Sequence, residues 1–234
     1  MQRTNNVLIT GANRGIGLEF TRQYIAAGWR VHATCRNPSR AHELNRMVIE
    51  SGKLLSVHQL DVTAWNDITQ INGILMGKPL DMLINNAGVL GPKLQNFGNT
   101  DIDSWIYSMK VNAIAPLKLT ENLIANLVLS PSPVVVNLTS KMGSISENTT
   151  GKYYIYRSTK SALNAVIHNM ALDLSPKGII VIAIHPGWVR TDMGGENAEL
   201  NVGQSVTKMR SVIERVTITD SGKFLDLNGT TISW

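Results

Sequence analysis

Cysteine is almost absent: Cys35 stands alone among 234 residues, so no internal disulfide can form. Such usage fits a reducing compartment, and a cytoplasmic protein is the expectation. No window approaches the roughly eighteen consecutive apolar residues that a membrane span needs. Residues 1–6 lead into the apolar Val7 without a signal-peptide pattern, so no membrane partner is expected. The 22 basic residues give a net charge of +5, yet they form no run and no nucleic-acid-reading motif, which excludes nucleic acid as the expected partner. Part of that excess is read as attraction for an anionic cofactor. His32, His42, His58, His168 and His185 are scattered, no Cys/His grouping has zinc-site spacing, and no metal is expected. Linkers, repeats and low-complexity tracts are missing too, so residues 1–234 read as a single domain, an ordinary length for one.

What is present is an alternation of short apolar runs with amphipathic stretches. Strands are expected near 7–10, 30–35, 54–60, 81–85, 133–139, 179–184 and 224–227, and helices near 15–28, 39–50, 64–75, 101–127, 152–175 and 201–214. This βαβ order predicts an α/β fold of Rossmann type: a doubly wound parallel sheet of about seven strands with helices on both faces. Ligands of such sheets bind beyond the carboxyl ends of the strands. Gly11, Arg36, Asp61, Asn86, Ser140 and Pro186 all fall at those ends.

The chemistry centres on Tyr156 and Lys160, with Ser140 sixteen residues upstream. Residues four apart share a helix face, so an ammonium stands beside a phenol whose ordinary pKa is about 10. That pairing is expected to favour phenolate and equip the tyrosine to exchange a proton with a carbonyl oxygen. On its own the pair also fits an ordinary surface helix. Between the first strand and helix lie Gly11, Asn13, Arg14, Gly15, Ile16 and Gly17, spaced G-x-x-x-G-x-G. A glycine turn there lets backbone approach a pyrophosphate, and the helix N-terminus attracts its charge. The second strand ends at Arg36, and no Asp or Glu occurs between Glu19 and Glu43. Arg14 and Arg36 match a 2′-phosphate, so charge complementarity favours NADP(H) over NAD(H).

Together these residues resemble the short-chain dehydrogenase/reductase superfamily, in its compact type, and within it the C-factor/sniffer-like carbonyl reductases. Thr10 to Gly17 match that family's cofactor motif, Asp61 and Val62 its adenine-contacting pair, and Asn85 to Gly88 the motif after strand four, with Asn86, Ala87 and Gly88 at the cofactor. The resemblance implies that Asn112 organises a proton-relay water, Ser140 orients the carbonyl, and Tyr156 with Lys160 forms the acid–base pair. It also implies that Pro186, Gly187, Val189 and Thr191 embrace the nicotinamide. The motifs run in family order from Thr10 to Thr191. A small carbonyl or alcohol substrate follows as partner, and a homodimer or homotetramer is expected because related enzymes pack the counterparts of the helix 152–175 and the helix before it across a two-fold axis.

Two departures from the family pattern are visible. Ser140 precedes Tyr156 by a few residues more than usual, which predicts a bulging loop over 144–151 and leaves Ser144 and Ser146 as alternative hydroxyls. Ser140 is favoured because it ends the strand 134–139 and precedes Gly143 by three residues. Little chain follows Thr191, which argues against the larger substrate region of a nucleotide-sugar epimerase or dehydratase. Leu90, Lys141, Met142, Trp188 and the segment 193–201 are the expected substrate pocket, with Gly194 and Gly195 as hinges of a lid. An NADP-binding sensor with little catalysis stays open as an alternative.

Overall fold

The computed structural model describes residues 3–75 and 77–234. Its strands are β1 (Asn6–Ile9), β2 (Arg30–Cys35), β3 (Leu55–Gln59), β4 (Met82–Asn85), β5 (Val134–Leu138), β6 (Ile180–His185) and β7 (Phe224–Asp226). They form one sheet in the order β3-β2-β1-β4-β5-β6-β7, every pair parallel. Helices α1 (Gly15–Ala26), α2 (His42–Glu50), α3 (Trp65–Leu75), α4 (Ile102–Met109), α5 (Ala115–Leu127), α6 (Tyr154–Leu174) and α7 (Val202–Ile213) connect them. This is the expected doubly wound α/β architecture.

Side-chain alternation along each strand divides the core in two. Val7 and Ile9 of β1, Val134 and Val136 of β5, and Ile180, Ile182 and Ile184 of β6 face one side, where Phe20, Tyr24, Leu44, Val206 and Met209 cover them from α1, α2 and α7. Leu8, Val135, Val181 and Ala183 face the other, against Ile68, Leu119, Leu123, Leu163 and Ile167 from α3, α5 and α6. Burial on both faces is why these strands read as unbroken β-branched runs rather than alternating ones. No described helix is long and apolar enough to cross a membrane.

One expected helix differs. The stretch 101–127 is divided by a π-helical turn over Lys110–Ile114. Pro116, in the first turn of α5, has no N–H for the carbonyl of Asn112, and its ring would crowd that carbonyl in an α-helical register. Opening to the wider turn relieves the crowding. The order of the strands places the topological switch between β1 and β4, so a crevice opens at their carboxyl ends.

Candidate active site

The crevice is a cavity of about 530 Å³ running from the α1 turn to the start of α6. Its first wall is the glycine turn. Gly11 (φ +64) and Gly15 (φ +54) take the left-handed conformation that side chains disfavour. A Cβ on Gly17 would stand 2.4 Å from the Gly11 carbonyl oxygen, so only glycine lets α1 start this close to the turn. Asn86 fixes the turn from β4: its Nδ2 donates to the carbonyls of Thr10 (2.8 Å) and Gly11 (3.1 Å), while Thr10 Oγ1 accepts from the Asn86 and Ala87 amides. No side chain caps α1 and no acidic residue sits in its first turn. Those N–H groups are therefore available to an anion.

The expected cofactor residues Gly11, Asn13, Arg14, Gly15 and Ile16 line this end, as do Arg36, Asp61 and Val62 along the strand ends and Asn86, Ala87 and Gly88 after β4. Arg36 is exposed and, among the described residues, makes no ion pair. Arg14 is paired with Asp192 at 2.7 Å across the cavity mouth; both side chains are largely exposed, so the pair is weak and easily exchanged for another anion. Asp61 Oδ1 accepts from the amide and hydroxyl of Thr63. An uncapped helix, a glycine cradle and an unpaired guanidinium together suit the phosphates of a dinucleotide.

At the other end Tyr156 and Lys160 line the cavity from α6. Ser140 stands two residues beyond β5 and caps the short turn Lys141–Gly143, its Oγ accepting from the Met142 amide at 3.1 Å. Ser140 does not itself line the cavity, and its hydroxyl lies beside the Tyr156 phenol. The alternative serines are engaged elsewhere: Ser144 Oγ accepts from the Glu147 amide, and Ser146 Oγ donates to the Trp234 carbonyl. Residues 145–151 do form an exposed loop.

The electrostatics differ from the expected pairing. Burial pushes the Tyr156 phenol above its ordinary pKa of 10.0, and the nearby Ser140 hydroxyl only partly offsets this. Lys160 lies 5.9 Å from the Tyr156 ring centroid, but its Nζ donates to the Leu138 carbonyl at 2.9 Å. Burial brings that ammonium down to about 8. The phenol is accordingly protonated at neutral pH, because desolvation outweighs any help from the neighbouring cation.

Asn112 sits in the π-helical turn at 1% exposure and does not line the cavity. Its Oδ1 accepts from the Val89 amide and its Nδ2 donates to the Val89 carbonyl and to Thr159 Oγ1, joining the loop after β4 to α6.

After β6, Pro186 and Thr191 line the cavity, whereas Gly187 and Val189 pack behind them. Val189 is buried and bridges to Leu200, and a Cβ on Gly187 would meet Leu227 at 2.5 Å. The expected lid is internally tied: Arg190 donates to Leu200, Leu200 to Trp188, Gly195 to Thr191, and Trp188 Nε1 to the Gly194 carbonyl at 2.8 Å. Gly194 lies against the Val189 carbonyl, where a Cβ would approach to 2.0 Å, so it is a packing point of the loop.

Of the expected substrate pocket, Leu90, Lys141, Met142 and Trp188 do not line this cavity, and Met193 does. Lys141 instead pairs with Glu147 at 2.9 Å, and the Met142 carbonyl accepts from Arg157. Tyr107, Val111 and Val202 line the wall together with Cys35, Leu60 and Arg190, none of them anticipated from the sequence. Cys35, Leu60 and Arg190 adjoin residues that the motifs had marked. Tyr107 and Val202 come from distant helices and carried no local signal.

Comparisons with known proteins agree with this geometry. The sequence pattern of the short chain dehydrogenase family matches residues 5–201. The C-signal protein of Myxococcus xanthus is 40% identical over 156 residues, covering 67% of this chain and 93% of its own. Carbonyl reductase Sniffer of D. melanogaster superposes with a TM-score of 0.92 at 29% identity, over 99% of this chain and 100% of its own. The NADPH-bound carbonyl reductase from chicken fatty liver gives 0.92 at 33% identity, with 100% of both chains covered. By family pattern, fold and site geometry together, the chain belongs to the short-chain dehydrogenases.

Proposed function

We propose that the chain is an NADP(H)-dependent oxidoreductase that reduces a carbonyl, of an aldehyde, ketone or quinone-like compound, to an alcohol. The observation that carries this reading is Tyr156 and Lys160, one helical turn apart on α6, at one end of a cavity whose other end holds the glycine turn and Arg36. NADP(H), when bound, supplies the hydride. The turn from Gly11 to Gly17 and the α1 amides hold the pyrophosphate, and Arg36, assisted by Arg14, takes the 2′-phosphate. Asp61 and Val62 flank the adenine. Asn86, Ala87 and Gly88 line the middle of the site, and Pro186, Gly187, Val189 and Thr191 shape the nicotinamide end.

The chain's own groups then manage the proton. Ser140 donates a hydrogen bond to the substrate oxygen and polarises the carbonyl. Tyr156, kept protonated by burial, delivers its proton to that oxygen as the carbon is reduced. Lys160, whose ammonium titrates at about 8, is poised to hold the ribose and to restore the tyrosine's proton. Asn112 acts by position: its side chain fixes Val89 and Thr159, joining the loop after β4 to the helix that carries Tyr156.

Likeness to C-signal favours a second reading, an NADP(H)-binding sensor or signalling protein with little catalysis. NADPH oxidation by the purified chain against a panel of aldehydes, ketones and quinones, with NADH alongside, separates the two. NADPH-dependent turnover supports the reductase. Tight NADPH binding without turnover supports the sensor, and binding of neither nucleotide defeats both.

A further inference from the structure

We propose that Gln95 is a positioning residue for Tyr156, tying the first turn of the catalytic helix to the loop that follows β4. The inference rests on the reading of Tyr156 as the proton donor.

The start of α6 is poorly equipped to hold itself. The N–H groups of a helix's first turn have no intrahelical partners, and a Ser, Thr, Asp or Asn before the helix commonly supplies one. Here the preceding residue is Tyr153, which makes no side-chain cap. The backbone leading in is strained as well: Gly151, Lys152 and Tyr153 follow one another at φ +64, +58 and +52. Side chains disfavour that left-handed region, and it persists where surrounding contacts over-determine it.

Gln95 provides those contacts from 61 residues away in sequence. Its Oε1 accepts from the Tyr156 amide at 2.8 Å, and its backbone carbonyl accepts from the Tyr154 amide at 2.9 Å. Its Nε2 donates to the carbonyls of Leu90 (3.0 Å) and Pro92 (2.9 Å). The side chain itself is buried, at 1% exposure. The loop it holds begins with Gly88 and Val89, which line the cavity. Gly91 (φ +84) brings that loop so near α6 that a Cβ would meet Ile155 at 3.3 Å. One buried amide thus sets the separation between the loop bordering the cofactor cavity and the helix carrying the phenol. Arg157 ties the opposite side, donating to the carbonyls of Met142 and Gly151 and to Thr150 Oγ1.

Gln95→Met keeps the length of the side chain and deletes both donor and acceptor. The variant is expected to bind NADPH, followed by protein fluorescence, within about threefold of wild type. Its Tyr156 amide exchanges hydrogen faster, and kcat on the carbonyl best reduced by wild type falls about ten- to a hundredfold at little-changed KM. Wild-type kcat, or a Tyr156 amide exchanging as slowly as in wild type, overturns the proposal. Gln95→Glu retains an acceptor for the Tyr156 amide and loses the bonds to Leu90 and Pro92. It is expected to keep that amide protected and most of kcat, and it remains informative if the methionine variant fails to fold. An equal loss of kcat with the Tyr156 amide still protected would make Gln95 a loop-packing residue and reject the tether. Should wild type reduce no carbonyl, the reductase reading fails, while amide exchange at Tyr156 in Gln95→Met still decides the tether.

Discussion

Replacing Lys160 with methionine is expected to stabilise the nucleotide-free fold at neutral pH while ending turnover. Burial lowers the ammonium from its ordinary 10.5 to about 8, which at 1.36 kcal/mol per pH unit corresponds to about 3 kcal/mol of destabilisation. Methionine removes that cost but leaves the Leu138 carbonyl without the Lys160 Nζ donor, a loss of about 1–2 kcal/mol. The net gain at pH 7 is about 1–2 kcal/mol, or roughly 2–8 °C in Tm for a chain of this size. The sign with pH is distinctive. Between about 8 and 10.5 the unfolded wild-type chain holds a proton that the folded chain has lost, so wild-type stability rises with pH across that window. The methionine variant lacks this rise, and its advantage should vanish or reverse near pH 10. Urea denaturation of both chains at pH 7 and pH 10 measures the difference, with the other titrating groups cancelling. A variant less stable than wild type at pH 7, or a difference that does not change with pH, would refute the reasoning. The stabilisation would mark Lys160 as a residue retained for chemistry at a cost to the fold.

Three further outcomes follow from the same geometry. Arg36→Ala should lower the preference for NADPH over NADH about ten- to a hundredfold, the worth of charge-assisted bonds to a phosphate; an unchanged ratio in paired titrations would place 2′-phosphate recognition elsewhere. Gly143→Ala puts a Cβ 2.8 Å from the Lys160 backbone and side chain, so the turn bearing Ser140 must lift from α6. Stability should drop about 1–3 kcal/mol and turnover with it, and a thermal melt with wild-type Tm would contradict this. Lys152→Gly relieves about 1–2 kcal/mol of left-handed strain against about 0.5–1 kcal/mol of added chain entropy, so a gain of about 0.5–1 kcal/mol is expected in urea denaturation.

Much of the fold was legible because its local signals agree. Strands β1, β5 and β6 are buried on both faces and so appear as runs of Val, Ile and Leu, and the glycine turn follows β1 directly. Residues lining the glycine-turn end of the cavity were legible for the same reason, since each sits just past a strand end. The π-helical turn was marked only by Pro116, whose effect on Asn112 four residues earlier shows once the helix is built. Asn86 was read as a cofactor contact, yet its amide is spent on the carbonyls of Thr10 and Gly11, a pairing between strands that no local pattern encodes. The rest of the cavity wall was least legible. Tyr107, Val202 and Met193 meet there from α4, α7 and the loop after β6, and which side chains face a cavity is decided by packing rather than by spacing. The same holds for Tyr156: spacing placed a cation beside the phenol, but burial, which sequence does not reveal residue by residue, sets its protonation.

Proton delivery by Tyr156 is the central claim, and turnover of wild type against Tyr156→Phe at saturating NADPH tests it most directly. The phenylalanine chain should fold and bind NADPH as wild type does, with kcat lower by about 10²–10⁴ because the proton donor alone has gone. Undiminished kcat in that variant would contradict the account and move the proton source to another group in the cavity.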